Sequence, residues 1–412
     1  MTVPSLARPS VLSSATSTSV PTSAAAGSAS ASGSASASAS ASVRPHRPEV
    51  TELRLSAFGP HRGAVFPLAP LTFFAGPSGS GKTTVLRVYE ALARLAAGDE
   101  LGEVFPEPAD CVPERVAADG QGRRGFRIGC TVDGPAGPVH LDLAVQAEPE
   151  LRIVSERLTC EGQELLTTVL CDPRQSTVQA AWYTAGAVLM TRAPLPDDRL
   201  GTALLPLRVA GKTEGQLRVL AAAEQVLVAL RSAYVCDPQP QRMRAPVALG
   251  EGLLRRGCDN LAAVLRRTGS ECAIRHTALV AAAREGCAGP VEDLTAQDLA
   301  DGSVRAVLGR GARGATPLGR LGEGELRYLA FAVVLLTGPR VLDMEYVAEV
   351  PDAHQALAVL ADGFDRGLDR RQARALGELA GRMCGRGHIR LVGTVTDASC
   401  VRETAGVTVV DL

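Results

Sequence analysis

Between an apolar run, Leu71-Thr-Phe-Phe-Ala75, and an amphipathic stretch from Thr84 to Leu95 stands the segment Gly76-Pro77-Ser78-Gly79-Ser80-Gly81-Lys82-Thr83. The apolar run has the length of a buried strand, and Leu86, Leu92 and Leu95 recur at helical spacing. A strand that enters a helix through Gly-x-x-x-x-Gly-Lys-Thr is a P-loop, a device for holding nucleoside phosphates. Each residue type has a physical task. The glycines let successive backbone N–H groups turn inward as a nest for phosphate oxygens. Lys82 supplies a compact cation for the outer phosphates, the Thr83 hydroxyl suits Mg²⁺, and Thr84 opens the helix whose N-terminus favours an anion. Gly76, Pro77, Ser78, Gly79, Ser80, Gly81, Lys82, Thr83 and Thr84 are therefore expected to bind ATP, with Mg²⁺ at Thr83.

Composition sharpens this reading. Lys82 and Lys212 are the only lysines among 43 Lys and Arg residues, so arginine stands almost everywhere else that a cation is needed. The P-loop suits a narrow point charge rather than a planar fork, which explains a lysine at position 82. Gly211-Lys212-Thr213 repeats the end of the motif, but Pro206 stands where its first glycine belongs and no helix signal follows at once. It reads as a solvated loop.

The formal net charge of −1 argues against a strongly electrostatic nucleic-acid binder, and 3% aromatic residues argue against a base-stacking platform. The ten cysteines form no Cys-x-x-Cys pair, and neither a secretory signal nor an apolar run long enough to span a membrane is evident. A cytoplasmic protein with no membrane partner is expected. Residues 1–48 are Ser/Ala-rich and read as a disordered tail. Residues 49–412 read as one ATP-binding domain. In it, Glu52–Phe58, Phe126–Val132, Val139–Val145 and Leu151–Thr159 alternate as strands, the last three as an antiparallel meander. Helical periods recur at Leu217–Leu230, Leu253–Arg267 and Cys272–Arg284, so 215–320 is expected to be an inserted helical subdomain. Beyond it come a helix from Glu323 to Leu336, a strand at Val341–Met344, a helix at Arg371–Cys384 and strands at Ile389–Val395 and Val407–Leu412.

A second motif carries a family resemblance. Leu321-Gly-Glu-Gly-Glu325 resembles the Leu-Ser-x-Gly-Glu signature of ABC ATPases, with Gly322 in place of the serine, and an apolar helix follows it up to Gly338-Pro339. Leu254-Arg-Arg-Gly-Cys-Asp-Asn-Leu-Ala-Ala-Val-Leu265 is similar to the Gly-x-Asn-Leu-Ala segment of RecF-like and SMC-like ATPases. The run from Leu53 to Phe58, then Pro67–Thr72 and the P-loop, also resembles the start of such proteins. Over roughly 50–412 the chain resembles an SMC/RecF-like ABC ATPase without the coiled-coil arm. The resemblance implies a P-loop NTPase of ABC-head type: α/β, with a parallel core sheet, an antiparallel β subdomain and a helical subdomain. It also implies an ATP-dependent homodimer in which Gly322, Gly324 and Glu325 of one subunit meet the ATP on the P-loop of the other. Association with DNA is implied by the resemblance alone.

The hydrolytic half of such a site needs four apolar residues, an Asp for Mg²⁺ and a Glu that activates water. Counting the family's usual interval from Glu325 lands on Glu345, after Val341-Leu-Asp343-Met344. Glu345 is then the metal ligand and Tyr346 takes the catalytic position, where a phenol of pKa about 10 is a poor base. A second register makes Asp343 the metal ligand and Glu345 the base, two alternating side chains on one face of a strand. Spacing favours the first. Thr394-Val395 stands where a switch histidine is expected; His388, His354 and Gln121 are poorly placed for catalytic roles. Binding is thus expected to be intact and hydrolysis weak, with a non-hydrolysing ATP-gated module as the alternative. A GTPase would need an Asn-Lys-x-Asp, which is absent, and a kinase would need an acceptor pocket.

Overall fold

The computed structural model describes residues 46–186, 188–250, 252–344, 350–351 and 354–412. Nearly all of the Ser/Ala-rich segment, 1–45, lies outside the described residues, as do Glu345 and Tyr346.

Two sheets carry most of the chain, and burial explains why each forms. Val139–Glu148 buries Val139, Leu141, Leu143, Val145 and Ala147 and turns the residues between them outward. That period of two builds a sheet with one packed face. Its neighbours complete an eight-stranded antiparallel sheet in the order His61–Pro67, Glu49–Phe58, Arg124–Asp133, Val139–Glu148, Arg152–Cys160, Gln163–Val169, Thr177–Tyr183, Met190–Pro196. The helix Glu214–Arg231 lies on the packed face. Its buried Gln225 donates to the carbonyls of Val132 and Gly137 and accepts from the amide of Ala136, clamping one hairpin turn.

By contrast, Leu71–Ala75, Leu357–Ala361 and Ile389–Val395 are buried at every position, as strands covered on both faces must be. They form a five-stranded parallel sheet in the order Ala233–Val235, Leu357–Ala361, Ile389–Val395, Leu71–Ala75, Val407–Asp411. Arg390 rises from this sheet to join it to the other. It pairs with Glu49 at 2.6 Å and donates to the carbonyl of Leu68 at 2.8 Å. The chain is therefore an α/β protein with a parallel core sheet beside an antiparallel one.

A second buried charge fixes the far end of the antiparallel sheet. The Glu156 carboxylate accepts from the amides of Gly201 and Thr202 at 2.6 and 2.7 Å and from the Thr202 hydroxyl, capping the helix Gly201–Arg208. Burial pushes its pKa up, and these three donors oppose the shift. Glu156→Ala orphans those donors in a dry interior and is expected to cost about 2–3 kcal/mol, read as a lower urea midpoint with an unchanged slope.

Four sequence expectations differ from the structure. First, Val341–Met344 is not a strand. Pro339 starts a 3-10 turn over Pro339–Val341, and Leu342 makes only an isolated bridge with Leu254. Second, the helix expected from Leu253 begins at Leu261, because Leu254 is held in that bridge and Cys258 turns at φ 54°. Third, 215–320 is not purely helical. Val247–Ala248, Asp293–Asp298, Ser303–Gly309 and Ala315–Pro317 form a small antiparallel sheet against Leu261–Glu271. Within Asp293–Asp298 only Leu294 is buried, so alternation was faint there. Fourth, a helix does follow Lys212 at once, capped by Thr213, whose hydroxyl accepts from the amide of Gln216. The residues before Lys212 include the helix Gly201–Arg208, not a glycine loop, and Lys212 is exposed.

Candidate nucleotide site

The strand Leu71–Ala75 lies between Ile389–Val395 and Val407–Asp411, so its end delivers Gly76 to the carboxyl edge of the parallel sheet. Two glycines there are obligatory. Gly76 has φ 151°, and a Cβ would collide with the carbonyl oxygen of Leu412. Gly81 has φ 94°, caps the helix Lys82–Ala97, and would put a Cβ 2.5 Å from His61 Nε2. His61 itself reaches the carbonyl of Gly81 at 3.2 Å and meets Phe66 edge-on, which in turn meets Phe74. The loop thus rests on a stack of rings rooted in its own strand.

Pro77, Ser78 and Gly79 are exposed at the loop crest. The Lys82 ammonium crosses the loop, donating to the carbonyls of Gly76 at 2.8 Å and Pro77 at 2.7 Å. The hydroxyl of Ser80 is buried without a hydrogen-bond partner in the structure. Thr84 packs toward the turn at Gly59, where a Cβ would sit 2.9 Å from its methyl group.

Thr83 donates to the carboxylate of Asp362, at 3.1 Å to Oδ1 and 3.2 Å to Oδ2. This aspartate ends the strand Leu357–Ala361, two strands from the P-loop strand. Thr394, on the strand between them, donates to Asp362 Oδ1 at 2.6 Å and accepts from the amide of Gly363 at 2.7 Å. The Ala358-Val-Leu-Ala-Asp362 run has the form of four apolar residues and an aspartate. Counting a fixed interval from Glu325 stopped short of it, at Glu345, because the 3-10 turn Pro339–Val341 and the bridge at Leu342 come before the strand Leu357–Ala361. An apolar run closing on Asp was the signal that could have found it.

Asp343 lies elsewhere. Its amide donates to the carbonyl of Leu254, and its neighbours round a surface cleft include Glu90, Tyr234 and Arg256. Among the described residues no hydrogen bond or ion pair joins it to Thr83. Glu345 and Tyr346 lie outside the described residues. Thr83 and Asp362 together offer a hydroxyl and a carboxylate, hard oxygen donors of the kind Mg²⁺ takes alongside phosphate and water. Among the described residues no cluster of three or more His, Cys, Asp or Glu forms an all-protein metal cage.

The helix Glu323–Leu336 is capped by Gly322. Glu325 folds back, accepting from the amide of Gly322 at 2.8 Å and from that of Ala288 at 2.8 Å. Gly324 is required locally, since a Cβ would strike the carbonyl of Gly367. Gly322 and Glu323 remain exposed. One turn on, Arg327 is only 3% exposed. It donates to the carbonyls of Pro238 at 2.7 Å and Gly363 at 2.8 Å, and burial, then the neighbouring Arg366, lowers its pKa. Phe331 meets Phe364 at 5.2 Å, and Phe364 meets Phe73 of the P-loop strand at 4.8 Å. Sequence reasoning missed Asp362, Thr394, Arg327 and Arg366. Except for Asp362, they lack a motif and are joined to the site only by folding.

No protein-family model matches the chain, and no curated protein matches it in sequence. Solved structures similar to it include an SMC head bound to the C-terminal winged-helix domain of ScpA, at 11% identity and TM-score 0.49, covering 88% of this chain and 94% of that one. The SMC head domain from Thermotoga maritima is similar at 11% identity and TM-score 0.42, with the same coverage of 88% and 94%. An SMC head with an extended coiled coil, bound to the C-terminal domain of ScpA derived from Pyrococcus furiosus, is similar at 10% identity and TM-score 0.46, covering 86% and 91%.

Proposed function

We propose that this protein binds ATP with Mg²⁺ at the P-loop and uses the bound nucleotide to close a head-to-head homodimer, holding ATP far longer than it cleaves it. The observation that carries the reading is the pairing of Thr83 with Asp362 beside a complete P-loop, followed at once by Gly363. In this reading Lys82 and the loop amides hold the phosphates, and Thr83 and Asp362 hold the metal. When bound, the metal neutralises phosphate charge.

Slow turnover follows from the groups beside Asp362. Gly363 has no side chain to take a proton from water. Both oxygens of Asp365 are engaged by backbone amides: Thr396 donates at 3.1 and 2.9 Å, and Asp397 at 2.9 Å. A missing general base costs about 10²–10⁴-fold in rate. The exposed residues Gly322 and Glu323 at the start of the helix Glu323–Leu336, in the segment that resembles an ABC signature, support closure against a second copy.

Gel filtration with ATP–Mg²⁺, with ADP–Mg²⁺ and without nucleotide is the test, with phosphate release measured on the same samples. A dimer that appears with ATP alone, and phosphate release close to the background of a Lys82→Ala variant, is expected. An unchanged elution volume removes the dimerisation reading, and fast phosphate release removes the holding role. For the metal, EDTA is expected to weaken ATP binding to the parent protein about tenfold or more, but to change binding to Asp362→Asn little. Equal EDTA sensitivity in both proteins would exclude Asp362 as a ligand.

A further inference from the structure

Arg366 stands where the residue after Asp362 would otherwise project a side chain. Gly363 takes φ 60°, and its carbonyl accepts from the amide of Arg366 at 3.0 Å, closing a tight turn over residues 363–366. The turn folds the arginine back on its own start. A Cβ at Gly363 would lie 2.8, 2.9 and 3.0 Å from Nη2, Nε and Cζ of Arg366. The guanidinium therefore covers the space that a base following Asp362 would need.

It is also aimed at the nucleotide site. Arg366 Nη2 is 3.9 Å from Asp362 Oδ2, and that oxygen is 3.2 Å from the Thr83 hydroxyl. The ion pair is long, and the side chain is 60% exposed, so the fork is open on one side. Positive charge gathers here. Arg327 reaches the same Gly363 carbonyl and is paired with carbonyls rather than a carboxylate, and Lys82 crosses the P-loop beyond Thr83. The opposing charges are Asp362, shared with Thr83 and Thr394, and Asp365, whose oxygens are taken by amides; Asp237 lies near Arg327. The Arg327 guanidinium on the Gly363 carbonyl and the Arg366 guanidinium beside the Gly363 Cα repel each other unless an anion joins them.

The geometry points to Arg366 as a phosphate-binding residue of this site, one that grips the terminal phosphate of ATP and makes the protein discriminate ATP from ADP. The assignment rests on the proposed nucleotide site and deepens it. A planar fork offers paired donors to phosphate oxygens. A phosphate group that ADP lacks is then read by a residue that also covers the position of a base. The same replacement, a side chain lost at 363 and a guanidinium gained from 366, favours holding over cleavage.

Isothermal titration of ATP–Mg²⁺ and ADP–Mg²⁺ into the full chain, Arg366→Ala, Arg366→Lys and Lys82→Ala tests it. Arg366→Ala is expected to lose about tenfold or more in ATP affinity, with ADP affinity within about twofold. Arg366→Lys, a charge without the fork, is expected to fall between them. Equal loss for both nucleotides, or no loss for either, overturns the assignment. If Arg366→Ala does not fold by circular dichroism, the same ratio is read from Arg366→Lys, and an ATP preference unchanged there overturns it. A parent protein that binds neither nucleotide removes the nucleotide site itself, a failure distinct from that of Arg366.

Discussion

Replacing Lys82 by alanine is expected to abolish ATP binding, with a loss in affinity of about a hundredfold or more. The ammonium already spans the loop through the carbonyls of Gly76 and Pro77, so it is held at the mouth of the nest rather than waving in solvent. Without it the inward-facing amides meet a highly charged phosphate with no full positive charge among them. Thermal unfolding gives a direct readout. A ligand at a hundred times its dissociation constant adds about 2.7 kcal/mol to the stability of the parent protein and nothing to a variant that cannot bind. The melting temperature should rise with ATP–Mg²⁺ in the parent and stay fixed in Lys82→Ala. Lys82→Arg is expected to fail as well, because a wide fork does not fit the two carbonyls that one ammonium satisfies. A chain that has put arginine at almost every other cationic position, and lysine here, is consistent with that. An undiminished ATP-induced shift in Lys82→Ala would contradict the whole assignment of the P-loop.

The largest expected effect on stability is at Phe364. Its ring is fully buried between Phe73 and Phe331, with centroids at 4.8 and 5.2 Å, and its amide donates to the carbonyl of Thr394 at 2.8 Å. Phe364→Ala removes the middle ring of this stack and is expected to cost about 3–5 kcal/mol, measured by urea unfolding. The loss has a second consequence. Phe364 lies two residues after Asp362, so slack in the stack loosens the carboxylate that faces Thr83. ATP–Mg²⁺ affinity should therefore fall in Phe364→Ala but not in Glu156→Ala, whose buried cap sits in the other sheet. Phe364→Leu, which keeps most of the volume, should recover most of both quantities. Equal affinities in the two alanine variants would mean that the ring stack does not position the site.

How much of this was legible in the chain varies from element to element. Leu71–Ala75, Glu323–Leu336 and Ile389–Val395 have the ends that their patterns imply, since each is bounded by glycine, proline or a charged turn and is strongly apolar or strictly periodic. The meander was also readable, because Val139–Glu148 and its neighbours alternate cleanly. Asp293–Asp298 was not, since one buried leucine in six residues is too little pattern for a strand. Leu357–Ala361 is a different case. Its apolar run was visible, but a spacing taken from a resemblance directed attention to Glu345 instead. Spacing is conserved by nothing physical once a loop can lengthen, and long surface insertions cost little free energy.

Sequence alone determined the P-loop. Its chemistry is local: glycines, a lysine and a threonine act through backbone conformation within one turn, and neighbouring letters encode that fully. Tertiary structure alone decided which carboxylate meets Thr83, and that an arginine rather than a base lies beside it. Asp362, Thr394 and Arg366 are hundreds of residues from Lys82 along the chain, and only the packing of parallel strands side by side brings them to one edge.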